Sequence, residues 1–334
     1  MKKTIFAALA AGALLLAGCT KTEVTEVPEG RAIGFTNFVT NAVKALDNNS
    51  INKFYVYGGY ASNYNLFTDV EVSKATGEWL YENTQYWIDN TTNYDFAAYS
   101  NDNEKLASGV TLTGDNHLEI IYKTDGSKDL VYAYNHGINQ DTDNGTVDFT
   151  FNHILARVAF KFSKDATLDG TTIEVSDIKI TAIKTNGTFT GEDLTPGTQY
   201  SYDAWENQTT ENEQIFDDPE DITDETLTQQ TAYEFLIPQP ATNELFEVTF
   251  TLTPSGVLSK DYGKSAEPFS VKLPATSNNQ WNPAYTYVYT ANISAKNFEL
   301  IPIVFNVEEV NEGWTNDDVT DNDVLLDDNT GTGN

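Results

Sequence analysis

Between Val147 and Ser163 the chain reads VDFTFNHILARVAFKFS, the sharpest hydrophobic pattern in the sequence. Val147, Phe149 and Phe151 alternate with polar residues. After a short break Ala156, Val158, Phe160 and Phe162 alternate again, with Arg157 and Lys161 on the other parity. Period two is the signature of a strand with one buried face, so this stretch predicts two strands with Arg157 and Lys161 facing outward. Ile173 and Val175 continue as a strand. The parity then shifts to Ile178 and Ile180, which predicts a bulge or bend near Ser176 and Asp177.

The same reading extends to both sides. KFYVY at 53–57 is apolar on both faces and closes on Gly58-Gly59. Weaker strands are expected at 77–80, 85–88 and 95–99, and clear ones at 117–123 (HLEIIYK) and 130–134 (LVYAY). Residues 191–230 are acidic and polar with little periodicity, and read as a long surface excursion. Strands resume at 233–237, 246–252, 269–273, 285–293 and 301–310. Short strands separated by Asn- and Asp-rich turns predict an all-β fold of sandwich type, with a boundary near residue 147.

The first forty-odd residues organise the rest. Lys2 and Lys3 precede an apolar stretch that closes on Leu16-Ala17-Gly18-Cys19, a secretory signal ending in a bacterial lipobox with Cys19 as the lipidation site. A polar tether follows, and then AIGFTNFVTNAVKA at 32–45. Ile33, Phe35 and Val39 share one parity and predict a strand. Beyond it Lys44 stands alone before the small Ala45, a candidate proteolytic bond. Arg31–Ala32 is the less favoured alternative, because a cut there would leave the strand on the body. A cut after Lys44 would free the body from its anchor and leave it one strand short.

Composition narrows the class of partner. The 334 residues carry 50 Asp and Glu against 19 Lys and Arg, a net charge of −31, which argues against nucleic acid as a partner. Cys19 is the single cysteine, so no disulfide is expected. No metal site, cofactor or catalytic constellation is expected either. The three histidines, His117, His136 and His153, do not stand at metal-ligand spacing. His153 reads as a structural histidine at a strand bend. Asp141 to Gly145 faintly resembles a calcium loop but lacks its ligand spacing, and reads as a hairpin turn. Trp79, Trp87 and Trp205 are conceivable sugar platforms, although aromatics in a sandwich are mostly core.

Taken together and in order, LAGC at Cys19, AIGFTNFVTNAVKA, KFYVYGG, FNHILARVAFKF, LIPQP, WNPAYTYVYTANI and IPIVFNVEEVNEGW resemble the fimbrillin family, the pilin subunits of type V pili on Bacteroidota cells. The resemblance implies two tandem transthyretin-like Greek-key β-sandwich domains, here 45–147 and 148–314. They would be preceded by a signal peptide at 1–19 and a tether with removable first strand at 20–44, and followed by an acidic tail at 315–334. It also implies an outer-membrane lipoprotein precursor at the cell surface, a mature form in extracellular fimbriae that supports adhesion, and no enzymatic activity. The implied partners are other copies of the chain or related pilins, the outer membrane before processing, and a trypsin-like or arginine/lysine-specific protease. Its adhesive ligand is not identified by the sequence. A C-terminal segment of another subunit would replace the lost strand, with Ile303, Phe305 and Val307, or Val324, Leu325 and Leu326, as the candidate donor residues. Two features depart from the family's pattern: lysine at the cleavage position, and a final twenty residues with six Asp and no basic residue. The alternative readings are an anchor or tip subunit, and a non-polymerising surface lipoprotein that binds glycans.

Overall fold

A computed structural model describes residues 31–39, 50–141, 145–194, 198–206, 211–256, 266–299 and 301–310. Among the described residues, twenty strands and three single-turn 3₁₀ segments account for the regular structure, and the all-β class expected from the alternation is what the chain adopts. No helix among the described residues is long and apolar enough to cross a membrane.

The first strands in chain order are β1 (Gly34–Val39), β2 (Lys53–Tyr60), β3 (Asn63–Ala75), β4 (Glu78–Tyr81) and β5 (Tyr94–Asn101). They are followed by β6 (Val110–Leu112), β7 (Leu118–Lys123), β8 (Leu130–Ile138) and β9 (Thr146–His153). Seven of these form one sheet in the order β1-β9-β8-β5-β2-β3-β4. That sheet curls around its own core: Phe35 of β1, Phe54 and Val56 of β2, Phe67 of β3, Phe96 of β5 and Phe149 of β9 belong to one buried cluster. The curl brings the two ends of the sheet together, with Ala32 bridged to Tyr86 just beyond β4.

The opposite face of β2, β5 and β8 is also buried, which is why KFYVY is apolar on both parities. Tyr55, Tyr57, Tyr99 and Tyr132 pack there against a second sheet, ordered β13-β12-β7-β6. Two of its members come late in the sequence. After β10 (Ala156–Lys164) and β11 (Thr171–Lys184), β12 (Asn186–Thr190) pairs with β7, and β13 (Trp205–Glu206) pairs with β12. The chain therefore returns past residue 147 to cover the N-terminal sheet.

The remaining strands are β14 (Glu211–Ile215), β15 (Thr228–Gln230), β16 (Glu234–Leu236), β17 (Glu247–Gly256), β18 (Glu267–Lys272), β19 (Thr286–Ile293) and β20 (Phe305–Val310). They join β10 and β11 in two sheets, β15-β10-β19-β20 with β16 also on β10, and β14-β11-β17-β18. The two sheets enclose a third core that contains Phe160, Phe162, Ile180, Phe250, Tyr289 and Phe305.

Several expectations need correction. Residues 85–88 make only isolated pairing, because the Asp89 carboxylate accepts from the N–H groups of Thr91 and Thr92 and turns the chain away. Strand β3 is not expected from the alternation, because its apolar parity flips between Phe67 and Val72 across Asp69, a residue at φ +55°. Residues 191–230 are no simple excursion. They carry β13 to β15 and bury Tyr200, Trp205, Phe216 and Ile222, so isolated anchors strap the segment down without a period. Arg157 does alternate away from the core but is not solvent-facing. Its guanidinium lies 4.1 Å from the Tyr233 ring centroid, and its Nε donates to Thr286 Oγ1 at 3.1 Å. Between Ser176 and Lys179 the predicted bulge is present, with Asp177 at φ +56°.

Candidate functional site: the first strand and its groove

Strand β1 lies parallel to β9, in a register running from Gly34 opposite Thr146 to Val39 opposite Phe151. Ahead of the strand the chain is held on the other side too. Ile33 N–H donates to the Gln85 carbonyl at 2.9 Å, Trp87 N–H donates to the Arg31 carbonyl at 3.0 Å, and the Tyr81 hydroxyl donates to the Ile33 carbonyl at 2.8 Å. Burial pushes the Tyr81 phenol above its ordinary range, so it is a neutral donor at any physiological pH.

Ile33 and Phe35, placed on one parity by the sequence, are 1% and 4% exposed. The Phe35 ring sits 5.3 Å from Phe67, 5.4 Å from Tyr81 and 5.8 Å from both Phe96 and Phe149, centroid to centroid. Three of these contacts are edge-to-face and the fourth is stacked, geometries that add ~0.5–1.5 kcal/mol each beyond area burial. Val39 is in β1 by its backbone, and its side chain lies outside the described residues. Opposite the strand, Thr36 Oγ1 donates to the Asp148 carboxylate.

The consequence for β9 is larger than for β1. The β8–β9 ladder is confined to Val131–His153 and Tyr132–Asn152, whereas β1 pairs with β9 from Thr146 to Phe151. Loss of β1 would strip the ladder from six residues of β9 and uncover Val147, Phe149 and the aromatic walls that hold Phe35. Backbone groups left unpaired in an apolar groove cost free energy until another strand takes them.

At the bond Arg31–Ala32, the Arg31 carbonyl is taken by Trp87 and Ala32 is bridged to Tyr86. The Arg31 side chain packs so closely over Gly145, at φ +79°, that a Cβ there would meet it at 2.6 Å. Lys44 and Ala45 lie outside the described residues, as do Cys19 and the Val324, Leu325 and Leu326 cluster. Of the other donor candidates, Ile303 and Phe305 are buried in this chain's own core and Val307 packs against it. Phe305 is within 6 Å, centroid to centroid, of Phe160, Phe162 and Phe250.

His153 is fully buried, with Nδ1 2.7 Å from the Asp129 carboxylate where β9 gives way to β10, a structural pairing at a strand bend. Trp87 and Trp205 are buried in the cores, and Trp79 packs on Phe54 at 4.8 Å, so none of the three forms an open platform. Asp141 and Gly145 flank residues 142–144, which lie outside the described chain. No group of three metal-ligating side chains occurs among the described residues.

An all-β chain whose N-terminal strand closes a curled aromatic sheet is thus the class that the geometry defines. The model of the fimbrillin-like family matches residues 30–309, from just before β1 into β20, and the chain belongs to that family. Among solved structures, it is similar to a fimbrial protein from Bacteroides vulgatus. The TM-score is 0.57 at 16% identity, over 85% of this chain and all of the other. A candidate cell adhesion protein from Bacteroides uniformis is similar with a TM-score of 0.50 at 20% identity, over 83% of this chain and 98% of its own. At these identities the likeness is one of fold. No curated protein matches the sequence.

Proposed function

We propose that this chain is a fimbrial adhesion subunit, exported to the cell surface as a lipoprotein on Cys19 and kept unassembled by its own first strand. Cleavage after Lys44 releases that strand, and a C-terminal segment of another subunit takes its place beside β9. The observation that carries this reading is the dependence of β9 on β1, together with the aromatic groove around Phe35. A groove of that kind accepts a replacement strand through both backbone pairing and side-chain anchors. Each apolar anchor contributes ~1.5–3 kcal/mol on burial. Before cleavage the covalent connection keeps the resident strand at high effective concentration and blocks exchange.

The choice of scissile bond follows from accessibility. Arg31–Ala32 is clamped into backbone pairing with residues 85–87, which disfavours its entry into a protease cleft and leaves Lys44–Ala45 as the better candidate. Similarly, withdrawing Phe305 to donate it would open this chain's own core, so the cluster Val324 to Leu326 is the better donor. Family membership supports a fimbrial, non-enzymatic role and related fimbrial subunits as partners.

Limited trypsin digestion of residues 20–334, with N-terminal sequencing and an unheated denaturing gel, tests the proposal. The expected product begins at Ala45 and forms a ladder with time. A stable monomer that keeps residues 31–39 after prolonged digestion would overturn the exchange mechanism.

A further inference from the structure

A second cleft, of about 390 Å³, opens at the end of the curled sheet where β2 turns into β3 and β8 ends. It lies at the pole away from the contacts with the C-terminal sheets, which are made at the opposite ends of β7 and β9, where Gly126 bridges to Phe235. We propose that this cleft binds a saccharide, neutral or bearing an amino group, held between aromatic rings and fixed carboxylates. The proposal deepens the adhesive part of the reading above by naming a ligand class, and it does not depend on strand exchange.

The cleft is built around Asp95, the second residue of β5 and only 8% exposed. Its Oδ1 accepts from Gly137 N–H at 2.9 Å and lies 2.9 Å from His136 Nδ1, while its Oδ2 accepts from Asn116 Nδ2 at 3.0 Å. One carboxylate thus ties the β6–β7 turn and the end of β8 to the floor formed by β5. Asn116 (φ +66°) and Gly137 (φ +69°) both adopt left-handed backbone conformations to reach it. The turn that presents His117 is closed by Asn116 N–H to the Thr113 carbonyl at 3.1 Å and Thr113 N–H to the His117 carbonyl at 2.8 Å. This is preorganisation, which lowers the ordering cost of binding.

On this floor stand groups suited to a polyhydroxylated ring. His117 and Tyr134 are packed with ring centroids 3.9 Å apart, and Tyr64 contributes a third ring from β3. His117 Nδ1 is shielded and has no hydrogen-bond partner among the described residues. Burial holds the His117 imidazole below its usual range, against the opposing pull of Asp193 and Asp115, which favours the neutral ring. Asp115 and Asp193 line the rim, and no lysine or arginine does among the described residues. Such a rim repels phosphate, sulfate and uronic acids, and accepts hydrogen bonds from hydroxyl or ammonium groups. The cleft falls in the ~300–1,000 Å³ range of small-ligand sites. Carboxylates with ring faces, and with no continuous apolar wall, match a sugar better than a lipid or an aliphatic peptide.

The test uses the uncleaved chain, residues 20–334, so that failure of strand exchange cannot affect it. The probes are oligosaccharides ending in galactose, mannose, fucose, N-acetylhexosamine or hexosamine, with sialylated and sulfated members as the acidic set. They are titrated by calorimetry and followed by saturation-transfer NMR. Binding of at least one neutral or amino-sugar probe is expected, weakened tenfold or more by Tyr64→Ala and by Asp115→Asn/Asp193→Asn, with thermal unfolding unchanged. No binding of any probe at millimolar concentration would overturn the proposal. So would binding restricted to the acidic set, or binding that survives both variants. Crosslinking of a cysteine placed at Asp193 to a neighbouring subunit in the assembled polymer would instead make the cleft a subunit contact, and would also overturn it.

Discussion

The first and last described strands, β1 and β20, both lie at the edge of a sheet, yet they are held in different ways. Strand β20 runs antiparallel to β19 over Phe305 to Val310, and its entry places Ile303 and Phe305 in a core built from two facing sheets. Strand β1 runs parallel to its neighbour, the slightly weaker arrangement, and closes a sheet that has curled onto itself. Both Ile33 and Phe35 are buried, but the rings around Phe35 come from the same sheet. Removing β20 would weaken one side of a sandwich whose remaining strands stay paired. Removing β1 also unpairs most of β9. The lesson is that an edge strand matters most when it carries most of its neighbour's ladder.

The largest effect that can break this comparison is truncation. A chain beginning at Ala45 is expected to lose the tertiary fold of its curled sheet, because Ile33 and Phe35 together bury ~3–6 kcal/mol of apolar stabilisation, a large part of a ~5–15 kcal/mol total. Near-ultraviolet circular dichroism should show the loss, and a synthetic peptide spanning Ala32 to Val39 should restore it. Undiminished signal without peptide would mean that β9 finds another partner.

Next comes a paired substitution. Phe35→Ala and Phe305→Ala should each cost ~3–5 kcal/mol in chemical denaturation. Hydrogen exchange separates them: only Phe35→Ala should deprotect amides of residues 146–151, since the ladder over those residues is made with β1.

A smaller effect concerns the joint between the two regions. Phe235 N–H donates to the Gly126 carbonyl at 2.7 Å, and the Glu234 carboxylate covers Gly126 so closely that no Cβ would fit there. Burial, followed by the charges of Asp217 and Asp125, pushes Glu234 from 4.5 up to about 7, against the hydrogen bond from Gln214. A raised carboxyl holds its proton longer in the folded state. Its contribution is therefore full below about pH 4.5 and is lost as pH rises through about 7. Between these values the loss should not exceed the ~1.4 kcal/mol per pH unit of a single proton. Glu234→Gln should flatten that slope in pH-dependent thermal unfolding and leave exchange at residues 146–151 unchanged. An unaltered slope would remove Glu234 as the cause.

The smallest expected change is Thr36→Val. It removes the hydroxyl that donates to Asp148 on an exposed face and should cost about 1 kcal/mol or less. It should nonetheless speed the trypsin-dependent release of β1, which timed digestion would detect.

Much of this was legible in the chain because period two depends on local backbone geometry. Ile33 and Phe35, Val147 to Phe151, Ala156 to Phe162, and the bulge at Asp177 could all be read without coordinates. Strand β3 could not, since its bulge at Asp69 exchanges the two faces midway. Nor could the anchors Tyr200, Trp205 and Phe216, which are buried singly within an acidic stretch.

What the sequence determined by itself was the all-β class, the apolar face of each well-alternating strand and the place of the first strand at the head of the body. Each follows from residues close together in the chain. Only the tertiary structure decided that β9 relies on β1, that β12 returns to cover the N-terminal sheet, and that Arg157 is roofed by Tyr233. It alone gathered Tyr64, Asp95, His117, Tyr134 and Asp193 at one pole. The pairing partner of an edge, and the company of a side chain across a turn, are set by how sheets curl and stack. That depends on contacts between residues a hundred positions apart, which no local period encodes.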